Sequence, residues 1–537
     1  MNNNDFAGLE TDVAALLAGF APDAVRQDFY DLVTRLTLAL ADGHSCLPLT
    51  ARQAKIALAS GCADASAALP LTMFAGNLYL TRYFRYEKQL AEQCLGRLAG
   101  DTSWQENTLF ARLLPESDSG QRQAGVISLT KKLCLITGGP GVGKTATVVK
   151  IIALLLERFG LSIQIALCAP TGKAAMRLKE SILSSLDSLP LPPEIVAAIP
   201  RQSFTLHRLL GARGRSPYFR HNHDNPLSYD VVVVDEASMV DLALMSKLAD
   251  ALKPSARLIL LGDPHQLASV ESGAVFAEML AGLPRSRADL TKNYRFNPGI
   301  GELAQAIRQG DAEAAWAVLR DEKRPRAVLT ARRDIDALIA ARIATYLEVI
   351  GQFPAVGIAV VFAAFRRFQT LCATREGENG VAGVNERALR LLRRKGHAVG
   401  RNPWYSGRPV LLRRNDFSLG LYNGDIGICL SDESGEFMVW FEGDGGFRPL
   451  PPWRLPEHDT AWAMTIHKSQ GSECAEVLLI LPETDTPVLS RELLYTGVTR
   501  ARDQIRLVIN RETLRLALSR PVLRASGLAA FFSASPS

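Results

Sequence analysis

The run Gly138-Gly139-Pro140-Gly141-Val142-Gly143-Lys144-Thr145 has the spacing G-x-x-x-x-G-K-[ST], with which a protein wraps the phosphates of a nucleotide. Glycines let backbone N–H groups turn inward around a β-phosphate, and the helix that opens at the lysine adds the partial positive charge of its N-terminus. Lys144 offers a point charge to the β- and γ-phosphates, and the Thr145 hydroxyl is a ligand for Mg2+. The flanks agree. An apolar strand, Leu133 to Thr137, precedes the glycines, and a helical stretch, Ala146 to Glu157, follows them.

Further residues fit the same chemistry. Asp235-Glu236-Ala237-Ser238 directly follows the apolar run Val231 to Val234. An acidic pair at the end of a buried strand lets Asp235 hold the metal and Glu236 polarise an attacking water. Leu261-Gly-Asp-Pro-His-Gln266-Leu267 also ends an apolar strand, so Gln266 can meet a γ-phosphate or orient the water. The Gln121 amide carries a donor and an acceptor that match adenine N6 and N7. ATP with Mg2+ is therefore the expected nucleotide. Ala169-Pro170-Thr171-Gly172-Lys173-Ala174 is not a second phosphate loop, because Leu167 stands where a glycine is needed and Ala174 where Ser or Thr is needed. A turn of this kind after a strand offers N–H groups and a hydroxyl to a nucleic-acid phosphate. Arg295, in Asn293-Tyr-Arg295, and Arg500, in Tyr495-Thr-Gly-Val-Thr-Arg500, follow short apolar runs. An arginine brought to the γ-phosphate from a second domain stabilises transition-state charge.

The elements that position these residues are strand-length apolar runs alternating with amphipathic helices, the pattern of a parallel sheet covered on both faces. We expect an α/β fold with a helical N-terminal domain over 1–110, a first sheet domain over 111–290 and a second over 291–537. Within the second, residues 400–458 read as a small antiparallel barrel, with strand candidates at 409–413, 425–430 and 437–441 separated by turn signals. The chain has 537 residues, room for three to four domains at about 150 each. Its formal charge of +6 permits nucleic acid without demanding it. None of the eight cysteines forms a CxxC pair, which argues against a zinc ribbon or a redox motif. The N-terminus has no basic start and apolar run of a signal peptide, and no apolar stretch is long enough for a bilayer. The expected setting is the reducing cytoplasm, with no membrane partner.

In order, Gln121, GGPGVGKT, APTGKAA, DEAS, GDPHQL, NYR, TIHKSQG and YTGVTRAR resemble the motifs of superfamily-one helicases. The segments Asn77 to Glu87, Thr205 to Leu210, Cys372 to Gly377, Asn423 to Asp425 and Ser526-Gly-Leu-Ala narrow the resemblance to the RecD family of exonuclease V alpha chains. The resemblance implies two RecA-like motor domains with ATP between them and an SH3-like insertion in the second. It implies ATP-driven 5′ to 3′ movement on single-stranded DNA at duplex ends, in double-strand-break repair and recombination in the bacterial cytoplasm at the nucleoid. It further implies a heterotrimer with RecB and RecC, docked through residues 1–110. Carried over residue by residue, Pro170, Thr171, Thr205, His207, His467 and Ser469 would line the DNA track. Asn423 would touch DNA or a neighbouring subunit.

Three other classes were weighed. A clamp-loader-type ATPase borrows its arginine from a neighbouring subunit, whereas this chain carries candidates in cis. A nuclease needs a carboxylate–lysine cluster outside the ATP motifs, and none is legible, so any nuclease belongs to a partner. An RNA helicase shares these motifs, and only the family resemblance favours DNA.

Overall fold

The four strands Leu133–Thr137, Ile165–Ala169, Val231–Val234 and Arg257–Gly262 bury every side chain but Arg257, because helices cover both faces of their sheet. In the computed structural model, which describes residues 8–534 apart from 102, 215, 270, 293–297, 398–401, 417, 433, 444 and 445, they belong to a six-stranded sheet. Its order is 287–289, 133–137, 257–262, 231–234, 165–169, 204–205, and every pairing is parallel. Alternate residues feed two cores. Leu133, Leu135, Val232 and Val234 pack with Met245 and Leu248 on one face. Cys134, Ile136 and Val233 pack with Val148, Ile152 and Leu155 on the other. In register, Thr137 pairs Gly262 and Val234 pairs Leu260. The loops that begin at Gly138, Asp235 and Asp263 therefore leave one edge of the sheet, the edge where open parallel sheets hold ligands.

A second parallel sheet has the order 327–329, 501–508, 474–480, 368–372, 463–465. Between the helix Val381–Arg394 and the strand Ala463–Thr465 the chain forms a separate five-stranded antiparallel sheet, ordered 446–450, 437–443, 426–431, 409–412, 458–460. Val410, Leu412, Cys429, Val439, Phe441 and Leu450 form its core. Its last strand runs to Thr460, two residues past the expected limit.

The N-terminal region departs from the all-helical expectation. Beside the helices Leu9–Ala18, Arg26–Ala41 and Ala51–Ala59 stands a four-stranded sheet, ordered 47–48, 77–80, 71–74, 63–64. Its central hairpin turns at Ala75 and Gly76, with φ of 47° and 78°, and pairs Phe74 with Asn77. A two-residue turn with both φ positive suits the right-handed twist of the strands. Alanine stands where asparagine or aspartate usually announces such a turn, so the turn carried no sequence signal.

The expected boundaries at 110 and 291 also shift. On the helix Thr81–Leu95, Leu90, Ala91 and Cys94 share a core with Met245 and Leu248 of the first sheet domain. Gln89 donates to Asp250 at 2.6 Å and accepts from Ser246 at 3.0 Å. Removing 1–110 would therefore strip a wall from the motor. Leu78, Tyr79 and Phe84, within the segment that carries the resemblance, are 0%, 0% and 6% exposed and are spent on internal packing. At the other end, the helix Leu528–Ala534 leaves the second domain and packs on Val275–Gly282 and Thr81–Leu95. Phe532 fills the space beside Gly282, where a Cβ would stand 2.3 Å away. Glu87 fastens this strap, accepting from Ser526 Oγ at 2.8 Å and Gly527 N at 3.1 Å. No described helix is long and apolar enough to cross a membrane.

Candidate active site

Gly141 and Gly143 hold φ of 82° and 80°, a region that glycine alone enters without strain, and so the loop curls its N–H groups inward. Lys144 Nζ donates to the carbonyls of Gly138 at 2.7 Å and Gly139 at 3.2 Å. The loop's base is tight: a Cβ on Gly138 would meet Val142 at 2.6 Å and the Leu290 carbonyl at 2.7 Å. Val142 is itself a buried plug into the core beneath. In front of the loop opens a cleft of about 430 Å³. Pro140, Lys144, Thr145, Asp235, Glu236 and Gln266 line it from the first sheet's edge, and Gly471, Glu473 and Arg500 face them from the second.

Asp235 lies deep. Burial and then the neighbouring Glu236 push its carboxyl up to about 6, while Lys144 pulls the other way. The Glu236 N–H donates to Asp235 Oδ1 at 2.8 Å. Glu236 has φ 52° and ψ 40°, left-handed for a residue with a Cβ, a conformation that costs of order 1 kcal/mol and collects at functional sites. Gln266 follows the strand 257–262, which lies between those of the phosphate loop and of Asp235, so its loop stands between those two at the cleft. Its Oε1 accepts from Arg500 Nη2 at 3.0 Å. Arg500 is 2% exposed and also donates to the carbonyls of Thr496 and Ser472, both at 3.1 Å. Burial lowers its pKa, and Glu236 and Glu473 oppose that.

Two residues that line the cleft and two at the joint beside it were not picked out from the sequence. Arg177 and Glu473 form an ion pair across the cleft at 2.5 Å. Asp263 and Tyr495 meet at 3.0 Å. Arg177 stands one helical turn after Lys173, and Glu473 closely follows His467-Lys-Ser-Gln470; those positions were the available signals. More polar contacts seal the joint: Leu267 N donates to Thr496 Oγ1 at 2.8 Å, and Gln470 Nε2 to the Leu267 carbonyl at 2.9 Å.

Gln121 does not line the cleft. It is 4% exposed at the start of the helix Ser119–Thr130, and its Oε1 accepts from Lys150 Nζ at 2.7 Å. Arg295 lies outside the described residues. Ala169 pairs Thr205 in adjacent strands, which places Pro170, Thr171 and His207 on one edge of the sheet. The Thr171 and Thr205 hydroxyls cap helices, accepting from Ala174 N and Arg208 N at 3.2 Å. His207 stands edge-on to Phe219, and burial lowers its pKa. Burial, then Arg375, does the same to His467. Asn423 is exposed and accepts from Lys468 Nζ at 2.5 Å. The neighbouring Tyr422 covers Gly172, whose Cβ would meet its ring at 3.2 Å. Ser469 corrects the expectation: it is 2% exposed and donates to the Ile466 carbonyl at 2.7 Å. A buried hydroxyl that closes its own turn shapes the loop and does not face a DNA strand.

The chain is similar in sequence to known proteins. A family model described as an AAA domain matches residues 121–272, and one described as a UvrD-like helicase C-terminal domain matches 460–508. The chain is 41% identical over 472 residues to the RecBCD enzyme subunit RecD of Mycolicibacterium smegmatis, spanning 85% of this chain and 82% of that one. It is 35% identical over 469 residues to the RecBCD enzyme subunit RecD of Haemophilus influenzae, spanning 77% and 72%. The ATP-dependent RecD2 DNA helicase of Deinococcus radiodurans is 33% identical over 443 residues, 80% of this chain and 54% of that one. At that identity over most of both chains, this protein belongs to the RecD family of ATP-dependent DNA helicases.

Proposed function

We propose that this helicase moves 5′ to 3′ along single-stranded DNA entered at duplex ends, as the motor subunit of a heterotrimer with RecB and RecC. We place ATP hydrolysis in the cleft between its two parallel sheets. The observation that carries the assignment is the buried Gln266–Arg500 hydrogen bond at 3.0 Å, which joins the first motor half to the second within the phosphate cleft. An arginine from one half held against a residue of the other beside the phosphate loop fits an ATPase that couples hydrolysis to domain movement.

The residues fit Mg2+ and a nucleotide. A buried carboxylate raised to about 6 beside Lys144 is suited to a divalent cation, and Mg2+ takes only one or two protein ligands beside phosphates and water. Thr145 and Asp235 would hold it, and it would supply charge neutralisation of the phosphates. Lys144 exchanges the carbonyls of Gly138 and Gly139 for phosphate oxygens. The N–H groups of Gly139 and of 141–145 cradle those oxygens, Glu236 orients the water, and Gln266 carries the state of the γ-phosphate to Arg500. Arg295 is assigned as a second arginine, and Gln121 as the adenine contact once its amide gives up Lys150. Pro170, Thr171, Thr205, His207, His467 and Asn423 are assigned to the DNA track. Docking falls to the N-terminal unit, where Leu16 and Phe20 are 64% and 73% exposed and offer apolar side chains to a partner.

The test is unwinding by the purified chain of duplexes with a 5′ or a 3′ single-stranded tail. We expect ATP-dependent unwinding of the 5′-tailed duplex, abolished by Lys144→Ala. Unwinding of the 3′-tailed duplex alone would refute the polarity.

A further inference from the structure

Tyr495 lies on the helix Arg491–Val498 of the second motor half, and its hydroxyl crosses the joint to donate to Asp263 Oδ2 at 3.0 Å. Asp263 follows the strand Arg257–Gly262 of the first half. Its Oδ2 also accepts from Gln266 Nε2 at 3.2 Å, and its Oδ1 accepts from His265 N at 3.0 Å. The other end of the Gln266 amide accepts from Arg500 Nη2. Tyr495, Asp263, Gln266 and Arg500 are 4%, 1%, 5% and 2% exposed, so water does not compete for these bonds.

The chain of contacts has only one polarity. A carboxylate only accepts and a guanidinium only donates. The Gln266 amide must therefore point its NH2 at Asp263 and its oxygen at Arg500, and a flipped amide would set donor against donor at Arg500. Asp263 enforces that orientation only while it is itself held. Its own loop supplies one fixed donor, His265 N, and the second half supplies the other, Tyr495 Oη. The same hydroxyl lies 3.0 Å from where a Cβ on Gly139 would stand, beside the carbonyl that accepts from Lys144.

We infer that Tyr495 is a positioning residue for hydrolysis. Its hydroxyl fixes Asp263, Asp263 fixes the Gln266 amide, and the amide aims the Arg500 guanidinium; Tyr495 itself acts at no phosphate. The relay also makes the aim conditional on closure, because two of its four members belong to each motor half. The inference rests on the cleft being the hydrolysis site.

The experiment is steady-state hydrolysis by the full chain with an oligothymidylate strand. Tyr495→Phe keeps the ring and removes only the hydroxyl. We expect kcat to fall about tenfold or more, in line with the cost of a small misplacement of a catalytic group, while KM for ATP moves less than about twofold. In a Gln266→Ala background, Tyr495→Phe should take away nothing further, since residues acting through one another do not add. Undiminished kcat in Tyr495→Phe, or losses that multiply in the double variant, would overturn the relay. Lys144→Ala separates the two readings. If it still hydrolyses, the cleft assignment falls and the relay with it; if it is dead while Tyr495→Phe keeps full kcat, the relay alone is wrong.

Discussion

Replacing Arg500 tests the cleft at its most exposed logical point. The guanidinium holds three buried acceptors, Gln266 Oε1 at 3.0 Å and the Thr496 and Ser472 carbonyls at 3.1 Å. Arginines supplied to a γ-phosphate are worth about a thousandfold or more in turnover, about 4 kcal/mol at 1.4 kcal/mol per decade. Arg500→Ala confounds this with stability, because the Gln266 and Ser472 acceptors it leaves unpaired cost about 1–3 kcal/mol each before water enters, while the Thr496 carbonyl keeps the Thr499 hydroxyl. Arg500→Lys is the cleaner perturbation. It keeps the charge but replaces a planar fork with a point charge, which satisfies fewer of the three acceptors and cannot span two phosphate oxygens. Phosphate release at saturating ATP and oligothymidylate should fall about a hundredfold or more in Arg500→Lys. Binding of a fluorescent ATP analogue should change little, because the Lys144 loop carries the ground-state contacts. A melting temperature within a few degrees of the parent would certify the fold. Turnover within about threefold of the parent in such a folded variant would remove Arg500 from the reaction.

Three further outcomes follow from buried carboxylates. Asp235, raised to about 6 by burial and Glu236, must be ionised to hold Mg2+, so hydrolysis at limiting Mg2+ should fall as pH drops through about 6, and added Mg2+ should move the fall to lower pH. Stability without nucleotide runs the opposite way. The unfolded carboxyl releases its proton near 3.8 and the folded one near 6, so between those values the folded form binds more protons and stability declines as pH rises. Asp235→Asn should melt above the parent at pH 7 and lose that advantage near pH 4; a pH-independent difference would contradict the burial argument. Glu87 is 0% exposed, its carboxyl raised by burial, and it accepts from Ser45, Tyr79, Ser526 and Gly527. Glu87→Ala should cost about 2–5 kcal/mol, because each buried donor that stays without its acceptor costs about 1–3 kcal/mol, and should speed tryptic cleavage after Arg520 and Arg524. Unchanged cleavage would mean that the Arg524 hydrogen bonds and Phe532 packing hold the strap without Glu87.

What could be read from the residues and what could not divides along a physical line. The phosphate loop, Asp235, Glu236 and Gln266 were legible because each is a short local pattern that ends an apolar strand, and parallel strands in one sheet end at one edge. Arg500 was legible as a type and a position in the motif order. Its partner was not, because hydrogen bonds such as Arg500–Gln266 and Tyr495–Asp263 join residues more than 200 positions apart, and nothing local marks either end. The antiparallel insertion announced itself through turn signals at Asn423-Gly424 and Gly435, whereas the N-terminal hairpin turned at Ala75-Gly76 and was silent. Ser469 shows the reverse failure. Within a motif assigned by resemblance to DNA, one hydroxyl is turned inward to the Ile466 carbonyl, and a motif spacing cannot say which of its polar side chains closes the turn and which is left for a ligand. Gln266 is the same problem solved. Its amide could face either way as far as the residue type goes, and its orientation is settled only by a carboxylate on one side and a guanidinium on the other, each contributed or held by the opposite half of the motor. Reading such a site therefore requires the pairing of donors with acceptors across the joint, and that pairing exists only when the two halves are together.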